Sequence, residues 1–181
     1  MSVKLIKGGR IITATEDFVA DILIQDGRVH TIGLNLETGD DVDVHDASGF
    51  LVLPGGVDVH THLEAEVGPA MTVDTFESGT KAAAFGGTTT LVDFAQQPHG
   101  DGVAAGLDDW HSRAGKACVD VGAHMIITTF NEQTLADSKL LIRNEGVTSF
   151  KMFMVMPGIM MINDAELLQI MRMTGEHGGL S

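Results

Sequence analysis

Val57-Asp58-Val59-His60-Thr61-His62 combines an apolar strand sequence with a His-x-His pair. Side chains alternate faces along a strand, so His60 and His62 are expected on one face and Thr61 on the other. Two imidazoles on one face can share a cation. Pro54-Gly55-Gly56 punctuates the chain just before, which predicts a strand from Val57 with the histidines at its C-terminal end. Active sites of (β/α)8 barrels are built at that end. The remaining histidines, His30, His45, His99, His111, His124 and His177, have no partner at ligand spacing and read as surface or satisfied core residues.

A second chemically unusual residue is Lys151, inside the apolar run Ser149-Phe150-Lys151-Met152-Phe153. A buried ammonium is costly unless it is paired or chemically altered. It can reach the rim of a barrel or meet an interior carboxylate. Converted to a carbamate by carbon dioxide, it becomes an anionic oxygen ligand able to bridge two cations. The lone Cys118 lies in the apolar stretch Ala117-Cys118-Val119 and is expected to be a buried, inert thiol in a reducing compartment.

The elements that would hold these residues follow two patterns. Residues 3 to about 53 read as short strands at Val3–Ile6, Arg10–Thr13, Ala20–Gln25, Arg28–Ile32, Val42–His45 and Phe50–Leu53, with Asp26-Gly27 as a hairpin turn. So small a β unit needs further strands or a neighbouring region to complete its core. From residue 54 strands and helices alternate. Strands are expected at Val57–Thr61, Thr88–Phe94, Val119–Thr128 and Val147–Phe153, and helices at Asp74–Phe85, Val103–Lys116, Asn131–Arg143 and Asn163–His177. Asp74 with Glu77, and Asn163 with Glu166, have capping-box spacing. Four strand-helix units predict a parallel sheet covered by helices, half of an eight-unit barrel, with a fifth strand starting near Leu180. Met152, Met154, Met156, Met160 and Met161 are expected to fill core.

The balance of 11 basic and 25 acidic residues gives a formal charge of −14, which argues against nucleic acid or an anionic membrane as partner. The densest acidic cluster, Glu37, Asp40, Asp41, Asp43 and Asp46, reads as a solvated turn. No run approaches the length of a membrane span and the N-terminus has no signal-peptide pattern, so a cytoplasmic protein is expected.

Leu53-Pro54-Gly55-Gly56-Val57-Asp58-Val59-His60-Thr61-His62-Leu63, Phe76-Glu77-Ser78-Gly79-Thr80, Ala84-Phe85-Gly86-Gly87-Thr88-Thr89-Thr90 and Gly146-Val147-Thr148-Ser149-Phe150-Lys151-Met152-Phe153-Met154 together resemble the dihydropyrimidinases and D-hydantoinases among the cyclic amidohydrolases. The resemblance covers essentially the whole chain and matches the first part of a family member. It implies a metal-dependent hydrolase that opens dihydropyrimidine or hydantoin rings to N-carbamoyl amino acids. It also implies two divalent ions, usually zinc, with His60 and His62 as ligands of the more buried ion and Lys151, as carbamate, bridging the two. The partner implied is a small cyclic amide, and the assembly a homo-oligomer, a tetramer in the family. The family's later histidines and its proton-handling aspartate are expected beyond Ser181, so no catalytic residue is assigned within this chain and an isolated fragment is expected to be inactive. Asp58 and Asp93 are expected to support strand ends. Met156 stands where the family has a substrate-contacting tyrosine, which leaves room for another cyclic ureide, as in an allantoinase-like enzyme. A third possibility is a non-catalytic dihydropyrimidinase-related scaffold, against which the retention of His60, His62 and Lys151 argues.

Overall fold

The computed structural model describes residues 2–39 and 41–181, in two compact units divided between Pro54 and Gly55. Asp40 of the acidic cluster lies outside the described residues. Around it, Asp43 meets Lys4 at 3.8 Å and His45 at 3.1 Å, and Asp46 accepts a hydrogen bond from the Ser48 amide.

The N-terminal unit is one five-stranded sheet of β1 (Val3–Ile12), β2 (Asp17–Gln25), β3 (Arg28–Gly33), β4 (Asp43–Asp46) and β5 (Leu51–Val52). Their order is β3-β2-β1-β4, with β5 also pairing β1. The two strands expected at Val3–Ile6 and Arg10–Thr13 are a single strand. It survives Gly8-Gly9 because those residues form a bulge, with the register shifting between Ile6 and Gly9 and Gly8 at a φ of +70°. Asp21 holds this kink from the inside: it is buried, and its two carboxylate oxygens accept from the Gly8 and Leu36 amides. Asp26 and Gly27, with φ of +49° and +75°, form the tight turn between β2 and β3. Ile11, Ala20 and Ile22 make the buried core of this unit.

The second unit begins with β6 (Gly56–Asp58), then a small hairpin of β7 (Glu66–Val67) and β8 (Ala70–Met71), and continues as α1 (Phe76–Phe85), β9 (Thr88–Gln96), α2 (Val103–Ala114), β10 (Asp120–Ile126), α3 (Glu132–Leu140), β11 (Phe150–Lys151) and α4 (Asp164–His177). The four long-range strands form a parallel sheet in the sequential order β11-β10-β9-β6. A parallel bridge from Ser149 to Leu180 continues that order toward a fifth position. One face of the sheet carries Leu91, Ala95, Met125 and Phe150 into a core with Phe76, Val103, Leu107, Trp110 and Ile170 from the helices. Helix α2 approaches β9 so closely that a methyl group on Gly106 would lie 2.3 Å from the Gln96 carbonyl oxygen.

Several boundaries differ from the sequence expectation for identifiable reasons. Helix α1 is capped one residue later than Asp74 and Glu77 suggest: Thr75 accepts from the Ser78 amide and Ser78 answers with the reciprocal bond. Asp74 instead accepts from the Ser78 hydroxyl, and Glu77 pairs with Lys81. Helix α3 ends in a wider π turn, Leu141–Glu145, closed by Gly146 at a φ of +70°. Strand β11 has only two residues, and the loop that follows takes Met154, Met156 and Met161 into solvent, so only Met152 of the methionine run packs against the core. Cys118 is exposed rather than buried because it falls in the turn between α2 and β10, where its amide bonds the Thr80 hydroxyl. Among the described residues no helix is long and apolar enough to cross a membrane.

Candidate metal-binding site

Strand β6 ends at Asp58, so His60 and His62 lie just beyond its ladder rather than within it. Their placement comes from four restraints. The Asp58 carboxylate accepts the His60 amide at 3.0 Å, and the Thr61 amide donates to the Val92 carbonyl at 3.3 Å. Asp93, 1% exposed, accepts both the Thr61 hydroxyl and the Leu63 amide on one oxygen, each at 2.9 Å. Arg113 of α2, held by Asp109 at 2.9 Å, reaches the Glu64 carbonyl at 3.0 Å. Thr61 thus turns inward to the buried carboxylate, and the histidines on either side turn the other way.

Both imidazoles pack on one aromatic ring. Phe94 stacks on His62 with centroids 4.7 Å apart and 15° between planes, and meets His60 edge-on at 4.8 Å. The two imidazole centroids are 5.2 Å apart. The Lys151 ammonium lies 4.3 Å from the same Phe94 centroid and 4.9 Å from that of Phe153. The register accounts for this convergence, because Phe94 is opposite His124 and Lys151 opposite Ile126, two residues on, so all three rows face the same side. Asp93, one residue from Phe94, therefore faces the helices. All three residues singled out in the sequence are brought together at the C-terminal rim of the parallel sheet.

The electrostatics around His62 favour its neutral imidazole. Partial burial lowers the His62 pKa from its ordinary 6.5, and the nearby Lys151 cation lowers it further, against an opposing pull from Asp93. Among the described residues Lys151 forms no ion pair, and no three His, Cys, Asp or Glu side chains cluster as a metal site. Asp58 and Asp93 have the supporting role expected from the sequence, whereas Arg113 and Phe94 carry no sequence signal of their own. Their role depends on tertiary neighbours.

A profile of the amidohydrolase family matches residues 51–114. The D-hydantoinase of Streptomyces coelicolor is 48% identical over 97% of this chain, and the D-hydantoinase of Geobacillus stearothermophilus 44% identical over 98%. The crystal structure of dihydropyrimidinase from Brevibacillus agri superposes with a TM-score of 0.93 at 39% identity, covering 98% of this chain and 39% of that one. The chain spans 38% of the length of those two curated relatives.

Proposed function

We propose, from the premise that this chain is a relative of the D-hydantoinases and dihydropyrimidinases, that it carries part of a two-metal site and that the protein hydrolyses the ring amide of hydantoins or dihydropyrimidines to N-carbamoyl amino acids. The observation that carries this reading is the convergence of His60, His62 and Lys151 on the Phe94 ring.

The residues fit the ions the family implies. Zinc takes neutral imidazole nitrogens and anionic oxygens. His60 and His62 supply the first, and Lys151, which has no carboxylate partner among the described residues, supplies the second as its carbamate. Divalent ions bound there would polarise an amide carbonyl and activate water near neutral pH. The chain's own groups orient the donors: Asp93 grips Thr61 and Leu63 on either side of His62, and Arg113 holds the following turn. No aspartate of this chain is assigned to handle the proton, and the 181 residues alone are inactive in this reading. Met156, at a left-handed φ of +64° and 39% exposed, stands where the resemblance implies a substrate-contacting tyrosine. Allantoin is accordingly the second substrate to try.

The test is hydrolysis of hydantoin and dihydrouracil by the protein isolated from its source, with N-carbamoyl product followed by chromatography. Product that disappears with a chelator and returns with zinc is expected. Absence of product from both substrates in zinc-loaded protein would contradict the reading.

A further inference from the structure

His124, in the middle of β10, has both ring nitrogens engaged. Nε2 is 2.9 Å from the Val59 carbonyl oxygen, and Nδ1 contacts the Ser149 hydroxyl. A carbonyl only accepts, so Nε2 carries a hydrogen and donates it. In the neutral ring Nδ1 then accepts from the Ser149 hydroxyl. These two partners stand at informative places. Val59 immediately precedes His60 and lies just past the last ladder residue of β6, while Ser149 is two residues before Lys151. The imidazole also lies over Phe94, with centroids 5.1 Å apart, on the same face as His60, His62 and Lys151. One side chain from β10 therefore reaches past β9 to β6 on one side and to the start of β11 on the other.

We propose that His124 is a positioning residue: a latch that fixes the backbone entering His60, and with it the spacing between the histidine pair and Lys151. The inference rests on the reading that these three residues hold metal. His124 is not a further ligand, because neither nitrogen has a lone pair free for a cation: Nε2 is protonated and the Nδ1 lone pair is taken by Ser149. Its contribution is geometric. Among the described residues the chain beyond Asp58 has no backbone pairing until Thr61, and without the Val59 bond the His60 amide is held by the Asp58 carboxylate alone. Partners bonded directly to a ligand typically change metal affinity by about 10- to 100-fold, and a bond one residue from the ligand is expected at the lower end of that range.

The test compares His124→Phe, which keeps a flat ring over Phe94 but makes neither bond, with His124→Gln, whose amide can still donate to the Val59 carbonyl. Zinc affinity is measured by competition with a chromophoric chelator, and thermal midpoints are recorded without metal. The expected result is roughly tenfold or greater weakening in H124F with a small change in midpoint, and recovery to within about threefold in H124Q. Equal zinc affinity in H124F and the parent, or a glutamine variant as weak as phenylalanine, would overturn the latch while leaving the proposed function standing. Protein isolated from its source that binds no zinc would instead overturn the proposed function and the purpose assigned to the latch with it. Should H124F fail to fold, long-range proton–nitrogen NMR of the parent decides. An Nε2–H tautomer retained on adding zinc supports the latch, and an Nδ1–H tautomer or zinc coordination by this ring refutes it.

Discussion

Asp93 should be the most sensitive residue behind the site that is not itself a ligand. It is 1% exposed and accepts the Thr61 hydroxyl and the Leu63 amide at 2.9 Å each, plus its neighbour Phe94's amide at 2.7 Å. A hydrogen bond to a charged acceptor contributes about 1.5–3 kcal/mol net of desolvation, so loss of the two loop bonds in Asp93→Ala should cost roughly 3–6 kcal/mol. Asp93→Asn keeps the shape and one acceptor oxygen but sets an amide donor against a donor, and should lose about half as much. Urea denaturation of the two variants, with Thr61→Val and the T61V/D93N double variant, reads both the loss and the coupling. A coupling of about 1 kcal/mol between positions 61 and 93 is expected for residues sharing one bond. D93N within about 0.5 kcal/mol of the parent, or strict additivity with T61V, would refute this role of Asp93 in holding Thr61 and Leu63.

Gly106→Ala should destabilise by about 1–3 kcal/mol or more, because the added methyl meets backbone atoms of Gln96 and Gln97 that cannot rotate away; calorimetry of the purified variant checks it. Asn163→Ala removes both amide bonds of the α4 cap and should cost about 1 kcal/mol, read by chemical denaturation. In metal-free protein, His62 should titrate below 6.5 by NMR, and Lys151→Gln should raise its midpoint only partway, since burial is the larger cause. The sign follows from the depressed value. The unfolded chain takes up the proton first, so the contribution of His62 to stability is present above pH 6.5 and is lost as pH falls through the folded value.

Strand alternation predicts the two rings of the His-x-His pair on one side, and both meet Phe94, but they lie past the β6 ladder and the turn of Thr61 toward Asp93 sets their direction; Lys151 stands out in the sequence as a cation in an apolar strand. Strand-helix alternation likewise carried the parallel sheet. Side-chain competition was harder to read. Asp74, Thr75, Glu77 and Ser78 are all capping residues within one turn, and which pair closes the box depends on how Glu77 and Lys81 meet. The methionine run has strand-like hydrophobicity, yet β11 stops at Lys151 and residues 154–159 are exposed, since hydrophobicity says nothing about which neighbours arrive to cover it. Arg113 and His124 act through carbonyls 49 and 65 residues away, distances at which spacing holds no information.

The most direct test of the central claim is zinc binding in bicarbonate buffer by the parent and by His60→Asn, His62→Asn and Lys151→Ala variants, each shown to be folded by circular dichroism. A metal site to which all three residues contribute requires measurable affinity in the parent and a loss of roughly tenfold or more in every variant. A Lys151→Ala protein that binds zinc as tightly as the parent would show that the lysine is not part of the site.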